Sequence, residues 1–234
     1  MQSDLPREIA ARDALERLRA SLADDPQRRA DLEAVAGLVR ESEELVDRLR
    51  ENHRALMQLA RSEAMSSGDL TDSLRAITAV ASKMLGVARS SVWLYNADKT
   101  AIQCVDLYLR DSRAHESGVE LFQKDFPGYF RALTEERAID AHDAHTDPRT
   151  SEFSEVYLTP LGIQSMLDAP IRVGDRMIGV TCNEHVGAAR MWTDDEVVFA
   201  GSLADLIALA IESGRRKETE AQLRAVVEAL DEPD

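Results

Sequence analysis

A chain of 234 residues is long enough for one substantial domain with extensions, and 44% hydrophobic residues can build a packed core. With 43 acidic against 28 basic side chains the formal net charge is −15, which repels phosphate backbones and anionic lipid, so neither nucleic acid nor a membrane surface is an expected partner. No apolar run approaches the ~20 residues of a membrane span, residues 1–22 lack a signal-peptide core, and two cysteines, Cys104 and Cys182, make no disulfide framework; a cytoplasmic setting is expected.

Residues 1–66 read as a helical region with one break. Ile9, Leu15, Leu18 and Leu22 form a loose apolar stripe, which Asp24-Asp25-Pro26 ends, because proline disfavours helix at the residue before it. Residues 27–63 then carry a heptad pattern. Val35, Ser42, Leu49 and Leu56 fall at one core position; Leu38, Leu45, Asn52 and Leu59 fall at the other. The spacing predicts a coiled coil joining two copies, with Ser42 and Asn52 as polar interruptions that select a register. The competing reading docks the same stripe on the adjacent domain of its own subunit.

Residues 67–212 have domain character. Leu74, Ile77, Ala81, Met84 and Leu85 recur at helical spacing, and Gly86 stands where a helix stop belongs. Residues 91–95 and 101–109 read as a hairpin around the turn Asn96-Ala97-Asp98-Lys99. Simple alternation puts Ile102, Cys104 and Asp106 on one face of its second strand and Val105, Leu107 and Leu109 on the other. Residues 110–137 look irregular apart from a short helix over 128–135, and 138–144 form a short strand. Asp147-Pro148 is expected to start a helix that ends at Pro160-Leu161-Gly162. Two strands, 165–173 and 176–184, flank the turn Gly174-Asp175, and the second is apolar enough to be central. Thr193-Asp194-Asp195-Glu196 is a capping box. It opens a long helix whose apolar face is Phe199, Leu203, Leu206, Ile207, Ala210 and Ile211. Residues 213–234 extend that helix outward past Gly214 to Leu223, Val226, Val227 and Leu230.

Four fragments in this order resemble GAF domains: Asp143-Ala144-His145-Thr146-Asp147-Pro148-Arg149, the stretch from Leu161-Gly162-Ile163-Gln164 through Asp168-Ala169-Pro170-Ile171, Ile178-Gly179-Val180, and Trp192-Thr193-Asp194-Asp195-Glu196. In bacteria such domains sit in sensor histidine kinases and cyclic-dinucleotide enzymes. The resemblance implies an α/β (α+β) fold with a central antiparallel sheet of five or six strands. Helices pack on one face and loops enclose a ligand pocket on the other. It also implies parallel homodimers through the terminal helices, here Val35, Leu38, Leu45, Leu49, Leu56 and Leu59 on the entering helix and Ile207, Ile211, Leu223 and Leu230 on the leaving one. The expected role is a non-catalytic sensory module of signal transduction.

On that resemblance the pocket lies beneath residues 119–157, a segment rich in aromatic side chains. Its candidate lining is Phe122, Phe126, Tyr129, Phe130, Phe153 and Tyr157, facing Trp93, Cys104, Leu167 and Cys182. An apolar concavity with a few polar groups suits a small molecule; the same rings equally suit a filled core. No cofactor follows from these residues. Asn183 precedes Glu184 where cyclic-nucleotide-binding relatives carry lysine, and neither cysteine precedes the histidine usual at bilin attachment sites. Asp140, His142, Asp143, His145 and Asp147 are dense enough to suggest a metal, but strand alternation splits them between faces. A cysteine-based methionine sulfoxide reductase would need an activated thiolate, and nothing cationic neighbours either cysteine in sequence. No kinase or cyclase signature is present.

Overall fold

Proline at a helix start, not within a helix, sets the first boundary. The computed structural model describes residues 5–22 and 25–231, leaving undescribed the side chains of residues 5–9, 11–12 and 226–231. Helix α1 (Leu5–Ser21) ends short of Pro26, which is the first residue of α2 (Pro26–Ala60). The Asp25 carboxylate caps that helix by accepting from the Arg28 amide at 3.1 Å. The chain divides into two compact units, residues 1–50 and 51–234. Within the first, the Arg19 guanidinium clamps α1 to α2 through both Glu33 carboxylate oxygens at 2.7 and 2.8 Å.

In the second unit, α3 (Glu63–Ser66) and α4 (Leu70–Leu85) precede the sheet. Asp69 caps α4, and Gly86, at a φ of 67°, closes it in the left-handed conformation that residues with a Cβ avoid. The sheet contains β1 (Arg89–Tyr95), β2 (Ala101–Leu109), β3 (Ala114–Glu116), β4 (Glu120–Phe122), β5 (Ile139–Ala141), β6 (Ile163–Val173) and β7 (Arg176–Val186). Its order is β3-β2-β1-β7-β6-β5, every pairing is antiparallel, and β4 also pairs with β2. The fold is thus the expected one, with seven strands instead of five or six. The additional pieces, β3 and β4, lie inside the stretch read as irregular; three residues each carry no usable period. Helix α5 (Pro127–Glu135) follows β4. The helix expected after Asp147 is instead a 3₁₀ turn over Ser151–Phe153, a π turn over Ser154–Leu158 and the short α6 (Thr159–Leu161). Asp147 spends its carboxylate on Arg149 and so caps a turn.

One face of the sheet packs against α4 and α7 (Asp194–Asp231). Leu74, Ile77 and Ala81 of α4 meet Phe199, Leu203, Ile207 and Ile211 of α7 over Val92, Leu167 and Ile171. Leu59, from the end of α2, is buried in the same core, and Leu56 packs against it. The expected dimer seam is corrected accordingly: Leu59, Ile207 and Ile211 are at most 4% exposed within the subunit and offer nothing to a second copy. An apolar stripe is buried against the nearest apolar surface, and heptad spacing does not say which surface that is. Val35, Leu38, Leu45 and Leu49 do stay exposed, as does Leu223; the Leu230 side chain lies outside the described residues.

Helix α7 also corrects the reading that no apolar run suits a membrane. A stretch within residues 194–225 has a mean hydropathy of 1.6 and passes by length and composition. Half of that window is buried, its apolar side forming the core just described.

A β-bulge corrects the faces of β2. Trp93 pairs with Cys104 but Val92 pairs with Asp106, leaving Val105 unopposed. The extra residue reverses the alternation beyond it. Leu107 and Leu109 therefore join Ile102 and Cys104 in a second core. Asp106 turns to α4, where the Thr78 hydroxyl donates to it at 2.6 Å, and His115 of β3 lies 3.0 Å from its other oxygen.

Gly179, in the central strand β7, is a point of close approach: an added Cβ would overlap the Trp93 carbonyl oxygen and sit 2.8 Å from Leu94 Cδ2. Gly179→Ala is expected to destabilise the domain by roughly 2 kcal/mol or more, as overpacking does. Urea unfolding of the two proteins measures this directly.

Candidate functional site

Strands β1, β6 and β7 are buried on both sides, so each second residue belongs to a different core. Facing away from the helices are Arg89, Ser91 and Trp93 of β1, Met166 and Asp168 of β6, and Cys182 and Glu184 of β7. The roof over them is built from Leu121 of β4, Tyr129 and Phe130 of α5, and Phe153 and Tyr157 of the 3₁₀ and π turns. The rings interlock. Tyr129 meets Phe153 edge-on at 4.8 Å between centroids, and Phe126 lies over Phe153 at 4.3 Å.

Two buried polar groups of residues lie beneath this roof. Glu184, 1% exposed, accepts from Arg89 Nε at 2.6 Å and from the Tyr157 hydroxyl at 2.8 Å. Burial opposes the Arg89 charge, but Glu184 outweighs it and holds the guanidinium pKa above its ordinary value. Burial, with Glu184 adding to it, pushes the Tyr157 phenol up as well. In the second group the Tyr129 hydroxyl donates to Asp168 Oδ2 at 2.6 Å and lies 3.6 Å from Cys182 Sγ. Asp168 Oδ1 is buried without a partner. Burial raises the Asp168 carboxyl to about 7, against the opposing hydrogen bond from Tyr129 and with a further push from Glu184.

The space between roof and sheet is a cavity of about 10 Å³ lined by Trp93, Ile102, Leu121, Tyr129, Phe153, Tyr157, Met166, Cys182 and Glu184. That is room for about one water molecule. Of the residues expected to line a pocket, Trp93, Cys104, Tyr129, Phe130, Phe153 and Cys182 are buried in this core, and Phe126 and Tyr157 pack against it. Phe122 is 41% exposed at the sheet margin, with Lys124 5.5 Å above its ring. Leu167 points to the helix side; the pocket side of β6 belongs to its neighbours Met166 and Asp168. Sequence reasoning passed over Arg89, Asp168 and Glu184. Counting in twos from Trp93 and from Cys182 reaches Arg89 and Glu184, so for those two a signal was present.

The remaining candidates disperse. Asn183 turns to the helix side, accepting from the Ser90 hydroxyl at 2.9 Å and donating to the Leu167 carbonyl at 3.1 Å. Asn183 and Glu184 thus act on opposite faces of the sheet. In the loop after β5, His142 Nδ1 accepts from the Trp192 amide, His145 bonds Ser154 and the Ile163 carbonyl, and Arg149 gathers Asp140 and Asp147. Asp147 is held below the ordinary carboxylate range by its hydrogen bonds from Arg149. These contacts pin the loop, and among the described residues no three His, Cys, Asp or Glu side chains converge as metal ligands. Burial raises the Cys104 thiol to about 12, with Asp106 adding to it, and raises Cys182 well above its ordinary value. Both are therefore thiols, not thiolates, at neutral pH.

The family model described as "GAF domain" matches residues 69–211. Solved structures share the fold. The phycocyanobilin-bound GAF domain from a cyanobacterial phytochrome has 20% identity and a TM-score of 0.59, covering 71% of this chain and 96% of that one. The GAF domain from Acinetobacter phosphoenolpyruvate-protein phosphotransferase has 15% identity and a TM-score of 0.54, covering 74% and 96%. The blue-light absorbing form of the Thermosynechococcus elongatus PixJ GAF domain has 15% identity and a TM-score of 0.55, covering 72% and 98%. At these identities the likeness is one of fold. No curated protein sequence matches the chain.

Asp168 makes stability depend on pH. Because its folded pKa is raised, the folded state keeps a proton that the unfolded state loses above the ordinary carboxylate value. Stability from this group is complete below that value and is lost as pH rises through about 7. The slope is at most about 1.4 kcal/mol per pH unit. Asp168→Asn should remove it, so urea unfolding at pH 5 and pH 7 should show the variant gaining on the parent as pH rises. Cys104 and Cys182 should react with a thiol reagent at pH 8 only after unfolding, which absorbance at the reagent's product band follows.

Proposed function

The chain belongs to the GAF domain family, and we propose that residues 67–212 act as a sensory, regulatory module. In this reading the loop-covered face of the sheet receives a small molecule, and the terminal helices join two copies and carry the response to an output domain or partner of a cytoplasmic signalling system. The observation that supports it is the set of ionisable groups sealed under the roof. Arg89, Glu184 and Asp168 are costly in a packed core, where apolar residues would serve stability as well. Asp168 Oδ1 is a buried acceptor with no partner among the described residues. A ligand that donates to it would favour one arrangement of the roof over another, which is the differential affinity a sensor requires. The roof adjoins the loop pinned by Trp192 and His142, immediately before α7, so a shift there has a short route into the long helix.

The small cavity favours a second reading, a ligand-free dimerisation scaffold whose own rings fill the pocket. A covalent bilin is not proposed, because both cysteines are buried and neither precedes histidine. The same protonated, buried thiols weigh against the cysteine-based reductase.

Native mass spectrometry and hydrogen exchange on the full chain separate the readings. For a sensor, a mass excess that vanishes on denaturation is expected, with roof amides at 120–126 and 151–158 exchanging much faster than those of β7. A bare mass together with a roof as protected as β7 would overturn the sensory reading and leave the scaffold.

A further inference from the structure

The charges beneath the roof do not balance. Arg89 Nε is committed to one oxygen of Glu184 at 2.6 Å, and the Tyr157 hydroxyl fills the other at 2.8 Å. Asp168 is a second carboxyl, fully buried. Its Oδ2 accepts from the Tyr129 hydroxyl, and its Oδ1 has no hydrogen-bond partner among the described residues. Asp168 adjoins the cavity: Cys182, its partner in the β6–β7 ladder, and Met166, two residues earlier on β6, both line that space. No neighbouring group supplies the missing cation. Tyr129 from α5 and Cys182 from β7 are acids that burial keeps protonated. Glu184 carries a like charge. From β5 the residue paired with Asp168 is Ile139. Arg172, farther along β6, donates to the Leu133 and Thr134 carbonyls.

The rings of Trp93, Tyr129, Phe153 and Tyr157 line the same cavity. Ring faces attract cations, and a buried carboxyl among them opposes a phosphate or carboxylate ligand. Resting on the sensory reading above, we propose that this site takes a compact organic cation, an amine or amidine on a small apolar body. Its N–H groups donate to Asp168 Oδ1 and its body lies against the rings. The present cavity, about 10 Å³, holds about one water. Entry of the cation therefore displaces the turns that carry Phe153 and Tyr157, which gives ligand-bound and empty chains different roofs. Binding is also linked to a proton. Burial, with a push from Glu184, raises the Asp168 carboxyl of the empty site to about 7, so at pH 6 it is mostly protonated. The arriving cation takes the place of that proton, which passes to the buffer. Affinity for a cation then rises with pH, whereas a neutral ligand accepting from the protonated carboxyl binds more tightly as pH falls.

Calorimetry on the full chain at its bare mass, with benzamidine, benzylamine, benzyl alcohol and benzoate as probes, tests this. Benzamidine and benzylamine should bind with dissociation constants of about 1 mM or tighter, and benzoate should not bind. Benzamidine should bind about tenfold more tightly at pH 8 than at pH 6. Titrations in two buffers of different ionisation heat should show about one proton released per benzamidine at pH 6. Asp168→Asn should weaken benzamidine at least about tenfold and abolish the proton release. The proton count needs only the parent chain, so it decides the matter even where the variant fails to fold. Benzoate or benzyl alcohol binding as tightly as benzylamine, tighter binding of benzamidine at pH 6, or a folded Asp168→Asn chain that binds benzamidine unchanged overturns the cation class and leaves the sensory reading. Absence of benzamidine binding at ~10 mM also overturns the cation class. Joined to a roof as protected from hydrogen exchange as β7, it overturns the sensory reading as well.

Discussion

Strand β7 is paired on both edges and buried on both faces, and the rest of the second unit is arranged around that constraint. Its hydrogen bonds to β1 and β6 fix the register of the three central strands. The register in turn assigns each residue to one of two cores. Thr181 and Asn183 turn to α4 and α7, while Cys182 and Glu184 turn to the roof. A strand in this position cannot slip by one residue without moving its whole apolar set to the other side. The close approach at Gly179 adds a steric lock, since only a residue without a Cβ fits beside the Trp93 carbonyl.

The two cores on this wall differ in kind. The helix side is almost wholly apolar, and its polar members are small and paired, such as Ser90 with Asn183 and Thr78 with Asp106. The roof side carries charge. Arg89 and Glu184 neutralise each other, and Tyr157 completes the carboxylate's bonding. Asp168 accepts from Tyr129 through one oxygen, and burial, with a push from Glu184, raises its carboxyl to about 7. Burying such groups opposes folding unless every bond is made. These groups lie beneath a roof built from β4, α5 and the 3₁₀ and π turns between β5 and β6.

Amphipathic helices illustrate how a pattern read correctly can be given the wrong partner. Leu56, Leu59, Ile207 and Ile211 do form apolar stripes, and all four are used inside the subunit. Val35 to Leu49 belong to the same heptad frame and remain open. Periodicity measures how apolar a face is; the distance to the nearest sheet decides what that face covers.

The sequence alone determined whatever depends on neighbouring residues. Pro26 and Asp25 starting α2, Gly86 and Gly162 ending helices, the hairpin turn at Asn96, and the reach of Glu196 back to the Thr193 amide are all local events. Local sterics and local hydrogen bonds act within a few residues, so they leave their mark in the chain. The order of elements and the ordered fragments that identify the family were legible for the same reason. Tertiary structure decided what depends on residues far apart in sequence. The bulge at Val105 belongs to the pairing of β1 with β2, and it carried Leu107 to the roof side and Asp106 to α4. Leu167, expected to line the pocket, yields that place to Asp168 because the pairing of β6 with β7, not hydropathy, sets which of two adjacent side chains faces the site. Arg89, Tyr157 and Glu184 come from three separate elements, and only folding could bring them into one hydrogen-bonded group.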